Sequence, residues 1–232
     1  MTPEILAEVM EATWPAARTH DIGPFRLREG AGGGKRVSAA SAERAWTEAD
    51  LSAAEAAMSA EQLFLIRAGD TALDASLAAR GYRIVDPVIA YCAPASTLAG
   101  ALDPLAAFPH WPPLQIARSL WAEGGIGPER IAVMARVRGA KAALLARMED
   151  KPVGVAFVAL HGSEAMLHAL EVGHRFRRKG AGQILLKAAA NWAMAQGAAR
   201  LSLVVTERNV AARTMYARVG MEVVGQYHYR KR

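Results

Sequence analysis

The chain has 232 residues, a formal net charge of +6, 52% hydrophobic residues and a single cysteine, Cys92. This length can bury one large core or two small ones. One cysteine excludes an intrachain disulfide, and no apolar run reaches membrane-spanning length. The basic residues scatter, aromatics make up only 6%, and no zinc spacing or recognition motif occurs, so the charge speaks for an anionic small ligand rather than for nucleic acid.

From the start of the chain, Met1–Arg18 carries Glu4, Glu8 and Glu11 in place of a basic-then-apolar leader, and the expected setting is cytoplasmic. Phe25–Glu29 and Arg36–Ala40 flank Gly30-Ala-Gly-Gly-Gly34 and are expected as a β-hairpin with a glycine turn. A Walker phosphate loop is excluded here, because Glu29 stands where its first glycine belongs and Arg36 where its Ser/Thr belongs. Further on, a shift of 139 positions sets Leu63–Arg67 on Ser202–Thr206, Asp70 on Asn209 and Ala78–Val85 on Ala217–Val224. Both halves therefore read strand, capped helix, glycine, strand, with Leu77 at the position of Tyr216. Pro94–Pro113, rich in Pro, Ala and Gly, reads as the linker. The expected division is a first half at 1–94, a linker at 95–112 and a second half at 113–232.

In the second half, Pro113–Trp121 and Pro128–Arg136 read as helices, the latter with proline in its first turn. Ala142–Met148, Val153–Leu160 and Ala165–Val172 read as three strands separated by short turns. A basic loop follows, then a helix from about Gly182 to Gln196, the strand Arg200–Val205, a helix between Asn209 and Gly220, and a last strand over Met221–Arg230. Asn209 suits an N-cap and Gly220 a helix C-terminus. This order predicts an α+β fold, mixed α/β with a mainly antiparallel sheet.

The densest signal is Leu170-Glu-Val-Gly-His-Arg-Phe-Arg177-Arg-Lys-Gly180-Ala-Gly182. It reads as the end of a strand, a basic loop and a helix start built on glycine. Such a helix terminus carries unsatisfied N–H groups and partial positive charge, and Arg177, Arg178 and Lys179 add full charges beside it. Gly180 and Gly182 let backbone approach a bulky anion. Downstream, Asn209-x-x-Ala212-x-x-x-Tyr216-x-x-x-Gly220 puts a tyrosine nearly two turns after the cap, on the same helix face.

Together, Arg177-x-x-Gly180-x-Gly182 and Asn209-x-x-Ala212-x-x-x-Tyr216-x-x-x-Gly220 resemble the GNAT superfamily of acyl-CoA-dependent N-acyltransferases, over roughly residues 113–232. The first half would then be a degenerate, partial GNAT-like repeat without a cofactor loop. The resemblance implies acetyl-CoA as cosubstrate, no metal, and a small-molecule amine as acceptor, with neither nucleic acid nor membrane as partner. It implies that Arg177, Arg178, Lys179, Gly180, Ala181 and Gly182 wrap the coenzyme A pyrophosphate. It also implies that backbone at Leu170 and Val172 pairs with the pantetheine arm, that Asn209 and Ala212 border the cofactor, and that Tyr216 is the general acid beside the sulfur. A non-catalytic acyl-CoA sensor or interaction module is the alternative from another class.

An alkylammonium with a pKa near 10.4 is deprotonated in about one molecule in a thousand at neutral pH, so transfer requires a base. Glu171 and His168 are the two candidates. His168 shares a face with Val172 in a regular strand, and Glu171 points the other way unless a bulge intervenes. His174 and Glu207 are weaker candidates, and His228, with Tyr227 and Tyr229, is placed to line an acceptor site on the last strand. Trp111–Gly127 carries no signature that identifies the amine.

The resemblance also leaves the second half one strand short, since GNAT sheets close with two strands after the tyrosine-bearing helix. An open edge is normally covered. Val88–Cys92, after the break at Asp86-Pro87, is expected to complete or cover that edge, in the same chain or in a homodimer partner. The acceptor pocket is expected near the junction of the halves.

Overall fold

The computed structural model describes residues 1–58 and 61–232. In chain order the elements are α1 (Pro3–Thr13), β1 (Arg18–Ile22), β2 (Phe25–Glu29), β3 (Ser41–Ala42), α2 (Glu48–Ala57), β4 (Leu63–Arg67), α3 (Thr71–Ala79), β5 (Arg83–Pro94) and α4 (Ala95–Leu98). They continue with β6 (Ala107–His110), α5 (Gln115–Glu123), α6 (Pro128–Arg136), β7 (Lys141–Met148), β8 (Lys151–His161), β9 (Glu164–Val172), α7 (Ala181–Ala195), β10 (Arg200–Thr206), α8 (Val210–Arg218) and β11 (Glu222–Lys231). The fold is α+β, and its order in the second half is that of the GNAT expectation.

Eight strands form one sheet in the order β4-β11-β5-β10-β9-β8-β7-β6, and β1-β2-β3 form a small second sheet. Among the named strands of the described residues only β9 and β10 pair in parallel, because α7 crosses over between them. On one face, Leu185, Ala189 and Ala193 of α7 and Tyr216 of α8 pack on Leu144, Val158 and Leu167. On the other, Trp121 of α5, Val133 and Met134 of α6 and Trp14 after α1 cover Ala143, Val155 and Phe157. The first half has its own core, where Leu51 of α2 and Leu73 and Leu77 of α3 close on Phe25, Phe64 and Ile66.

The strand that completes the second half belongs to the first. β5 lies between β10 and β11 and pairs antiparallel with both, Val88–Pro94 against Arg200–Thr206 on one side and Arg83–Cys92 against Glu222–Lys231 on the other. The edge is thus filled within the same chain. The expected break at Asp86-Pro87 is instead a bulge inside one strand, with Asp86 at φ +45° and the register slipping between Tyr227 and Tyr229. A bulge tolerates a proline in a central strand because no ladder donor is required there. The freed Pro87 carbonyl accepts from Glu207 N at 2.7 Å.

Two other expectations are corrected. Residues 36–40 are not the second strand of a glycine hairpin. A 3-10 turn at Lys35–Val37 intervenes, and β2 pairs instead with Ser41 and Ala42. The segment 95–112 carries structure of its own, α4 and the sheet-edge strand β6 paired with β7.

Candidate active site

β9 and β10 run together only from Glu164–Leu167 and Arg200–Leu203, and beyond that the two strands part. The opening coincides with a bulge in β9. Phe157 pairs with His168 but Val155 with Glu171, so one residue of β8 opposes two of β9, and Ala169 adopts φ +51°. A fully buried Trp121 holds the kink by donating its indole N–H to the Ala169 carbonyl at 2.8 Å. Nothing in the strand pattern marks this, since the two-residue alternation assumes a regular strand.

The bulge reverses the expected facing. His168 and Glu171 now share the face of Val155 and Phe157, towards α5 and α6, while Val172 lies on the α7 face with Leu170 packed against that core. Glu171 lies against the α5–α6 connection so closely that a Cβ on Gly124 would stand 2.7 Å from its Cδ. Burial raises the Glu171 carboxyl above its ordinary pKa, opposed by the charges of Arg177 and Arg130. Tyr216 is buried on α8, its ring 5.7 Å from that of Tyr91 on the inserted strand β5. Burial first, and then the Glu171 charge, push its phenol up to about 12.

His168 is placed otherwise than expected of a base. It is buried between Trp14 and Phe157, with ring centroids at 5.0 and 6.1 Å. Thr13 Oγ1 donates to the Val9 carbonyl at 2.5 Å, so it accepts from His168 Nε2–H at 2.9 Å, while Arg36 Nη1 donates to Nδ1 at 3.2 Å. Both ring nitrogens are engaged, and burial together with the Arg36 charge holds the imidazole neutral, well below its ordinary pKa. No lone pair remains for a substrate proton. His228 likewise turns from the expected acceptor side, its Nε2 2.8 Å from Asp74 of α3. His174 is exposed in a 3-10 turn after β9, and Glu207 is exposed in the connection to α8.

After that turn, Arg177, Arg178, Lys179 and Gly180 form an exposed loop with φ +62° at Arg178 and +93° at Gly180. α7 then begins with no side-chain cap. Gln183 and Ile184 donate to the Gly180 carbonyl at 3.0 and 3.1 Å, which leaves the N–H groups of Ala181 and Gly182 for an outside acceptor. Arg177 Nε donates to the Val172 carbonyl at 3.2 Å and ties the loop to the end of β9. Gly182 has a second reason to be glycine, because a Cβ would stand 3.1 Å from Met215 Sδ of α8. Asn209 caps α8, its Oδ1 accepting from Ala212 N at 3.2 Å.

A groove of about 540 Å³ opens beside this helix start, lined by Gly180, Gln183 and Lys187 on one side and by Thr97, Leu98 and Leu102 on the other. The second wall comes from the segment expected as a bare linker. Its small and proline-rich composition carries no sign of that role.

Residues 114–221 match the Acetyltransferase (GNAT) family. Over 94% of both chains, the sequence is 26% identical to an uncharacterized N-acetyltransferase, YobR, of Bacillus subtilis (strain 168). Among solved structures, a GCN5-related N-acetyltransferase from Kribbella flavida aligns with a TM-score of 0.73 at 17% identity, covering 100% of this chain and 96% of that one. A tandem GNAT protein from the clavulanic acid biosynthesis pathway aligns at 0.67 and 12% identity, over 98% of this chain and 87% of that one. With its split strands, inserted β5 and uncapped α7, the chain carries a GNAT acetyltransferase domain at 114–221, and over nearly its full length it has the fold of the GNAT N-acetyltransferases it resembles, a tandem GNAT protein among them.

Proposed function

We propose that this chain moves an acetyl group from acetyl-CoA to the primary amine of a small-molecule acceptor, by direct transfer with both substrates bound at once. The observation that carries the reading is the opening between β9 and β10, which leads to the uncapped start of α7 and the exposed Arg177–Gly180 loop. Acetyl-CoA, when bound, supplies the acyl group already activated as a thioester.

On this reading the N–H groups of Ala181 and Gly182, with Arg177, Arg178 and Lys179, hold the pyrophosphate. Leu170 and Val172 offer the β9 backbone edge to the arm, and Asn209 and Ala212 form the adjoining turn of α8. These residues fit a long anionic thioester, because the opened strand edge leads to uncapped helix donors and cations. Glu171 accepts the proton of the acceptor ammonium, and its raised pKa narrows the gap to an amine near 10.4. The freed amine attacks the thioester carbonyl, the C–S bond breaks as the C–N bond forms, and the Tyr216 hydroxyl, which keeps its proton at neutral pH, delivers it to the departing thiolate. Residues 1–94 serve as a repeat without a cofactor loop, joined through 95–112 to the transferase domain at 113–232.

A thiol-release assay with acetyl-CoA and an amine library, beside titration with coenzyme A, tests the reading. Turnover of at least one amine, and loss of coenzyme A binding in Arg177→Glu, are expected. Absence of coenzyme A binding by the unaltered protein overturns it. Binding with no amine turned over assigns the chain as a sensor instead.

A further inference from the structure

The glycine-rich loop between β2 and β3 reaches out of its own half. A Cβ on Gly32 would stand 2.8 Å from Glu129 Cγ, one on Gly33 2.5 Å from Val133 Cγ2, and one on Gly34 3.3 Å from Arg130 Nη2. Gly32 and Gly34 also hold φ of +78° and +100°. These glycines therefore serve close packing on the first turns of α6, beyond any need of a hairpin.

That packing delivers Arg36 to the face that carries the base. Its Nη1 lies 3.2 Å from His168 Nδ1, and its guanidinium carbon is 5.9 Å from the Trp14 ring centroid. Because of the bulge, His168 and Glu171 are successive residues on this face. Arg130 bears on Glu171 from α6 while lying against Gly34. Two guanidiniums, one from each half, thus stand on the face that carries Glu171, Arg36 beside His168 and Arg130 beside the Gly34 loop.

Neither guanidinium has a carboxylate partner among the described residues, and Arg36 Nε is buried without any hydrogen-bond partner. The neighbouring Lys35, by contrast, is paired with Asp86 at 2.8 Å, which pins the loop to β5. A buried cationic donor without a partner, such as Arg36 Nε, is costly unless a counter-charge arrives. A guanidinium matches the two oxygens of a carboxylate.

We infer that Arg36 and Arg130 form an anion subsite for the acceptor, so that the substrate is an amine that also carries a carboxylate a short spacer away. The first half then keeps a substrate-binding role although it has no cofactor loop. This inference rests on the proposed acetyl transfer to an amine.

The test compares the standard amino acids with their carboxamides, by thiol release with acetyl-CoA and by isothermal titration without it. At least one amino acid is expected to bind about 10-fold or more tightly than its carboxamide. Arg36→Gln and Arg130→Gln should each raise the KM of that amino acid about 10-fold, leaving the KM of the carboxamide and of acetyl-CoA unchanged. Arg130→Lys, which keeps the charge and the packing stem, should retain part of the preference and guards against a misfolded variant. Preference for neutral amines, absence of binding by every amino acid, or equal loss for both members of a pair overturns the subsite. If no amine is acylated, the proposed function fails, and carboxylate-dependent binding in the titration still decides the subsite.

Discussion

Val88 of β5 and Tyr227 of β11 face each other across the sheet, and the 139-residue offset carries the first onto the second. The pair is therefore its own image under exchange of the halves. The neighbouring ladders obey the same symmetry, since Thr206 pairs with Val88 as Tyr227 pairs with Arg67. The offset also carries Thr71–Ala79 of α3 onto Val210–Arg218 of α8. A pseudo-two-fold axis thus passes between β5 and β11, and each half lends its last strand to the other.

This exchange predicts that residues 105–232 do not fold alone. Without β5, both β10 and β11 lose a partner strand, and exposed edges promote aggregation. Expressed by itself, the fragment should be insoluble or unfold without cooperativity, and co-expression with residues 1–104 should restore solubility. Size-exclusion chromatography and denaturant melts give the answer, and a soluble, cooperatively unfolding fragment would refute the dependence.

Replacing Tyr216 by Phe removes one hydroxyl from a buried ring and leaves its packing on Tyr91. Turnover is expected to fall about 10²-fold or more, the range of general acid catalysis, while the KM for acetyl-CoA changes little. Equal loss in both parameters would assign the residue to packing.

Glu171 works as a base only when ionised, and its pKa lies above the ordinary carboxylate range. In the unaltered protein, kcat/KM should therefore rise with pH through a pKa above about 4.3. Glu171→Gln should lower kcat by about 10²-fold and abolish that limb. Gly124→Ala, which drives a methyl group against the same carboxylate, should depress kcat in the same direction. A pH profile that keeps its acid limb in Glu171→Gln would transfer the role to another group.

His168 is neutral in the fold, its pKa depressed well below 6.5 by burial and Arg36. Between the depressed value and 6.5 the unfolded chain binds more protons, so the contribution of His168 to stability is complete above about pH 6.5 and is lost as pH falls. The slope is about 1.4 kcal/mol per pH unit for one proton. Urea unfolding should show lower stability at pH 5.5 than at pH 7.5, and His168→Gln should flatten the difference. An unchanged slope in that variant would place the titration elsewhere.

Local chemistry made much of this molecule legible in the sequence. Pro128–Arg136 forms a helix over the expected residues, because proline opens it and an apolar stripe continues it. The Asn209 cap and the uncapped, glycine-led start of α7 follow from side chains close in the chain. The repeat, too, is a matter of spacing and needs no contact to be seen. Tertiary structure alone decided the rest. The bulge at Ala169 depends on an indole 48 positions away, and it turned Glu171 towards the site and enclosed His168. The partner of the Gly30–Gly34 loop is a helix nearly a hundred residues downstream, and turn chemistry does not reveal what a loop will pack on. The place of β5 between β10 and β11 is likewise fixed by which edges need hydrogen bonds once both halves have folded together.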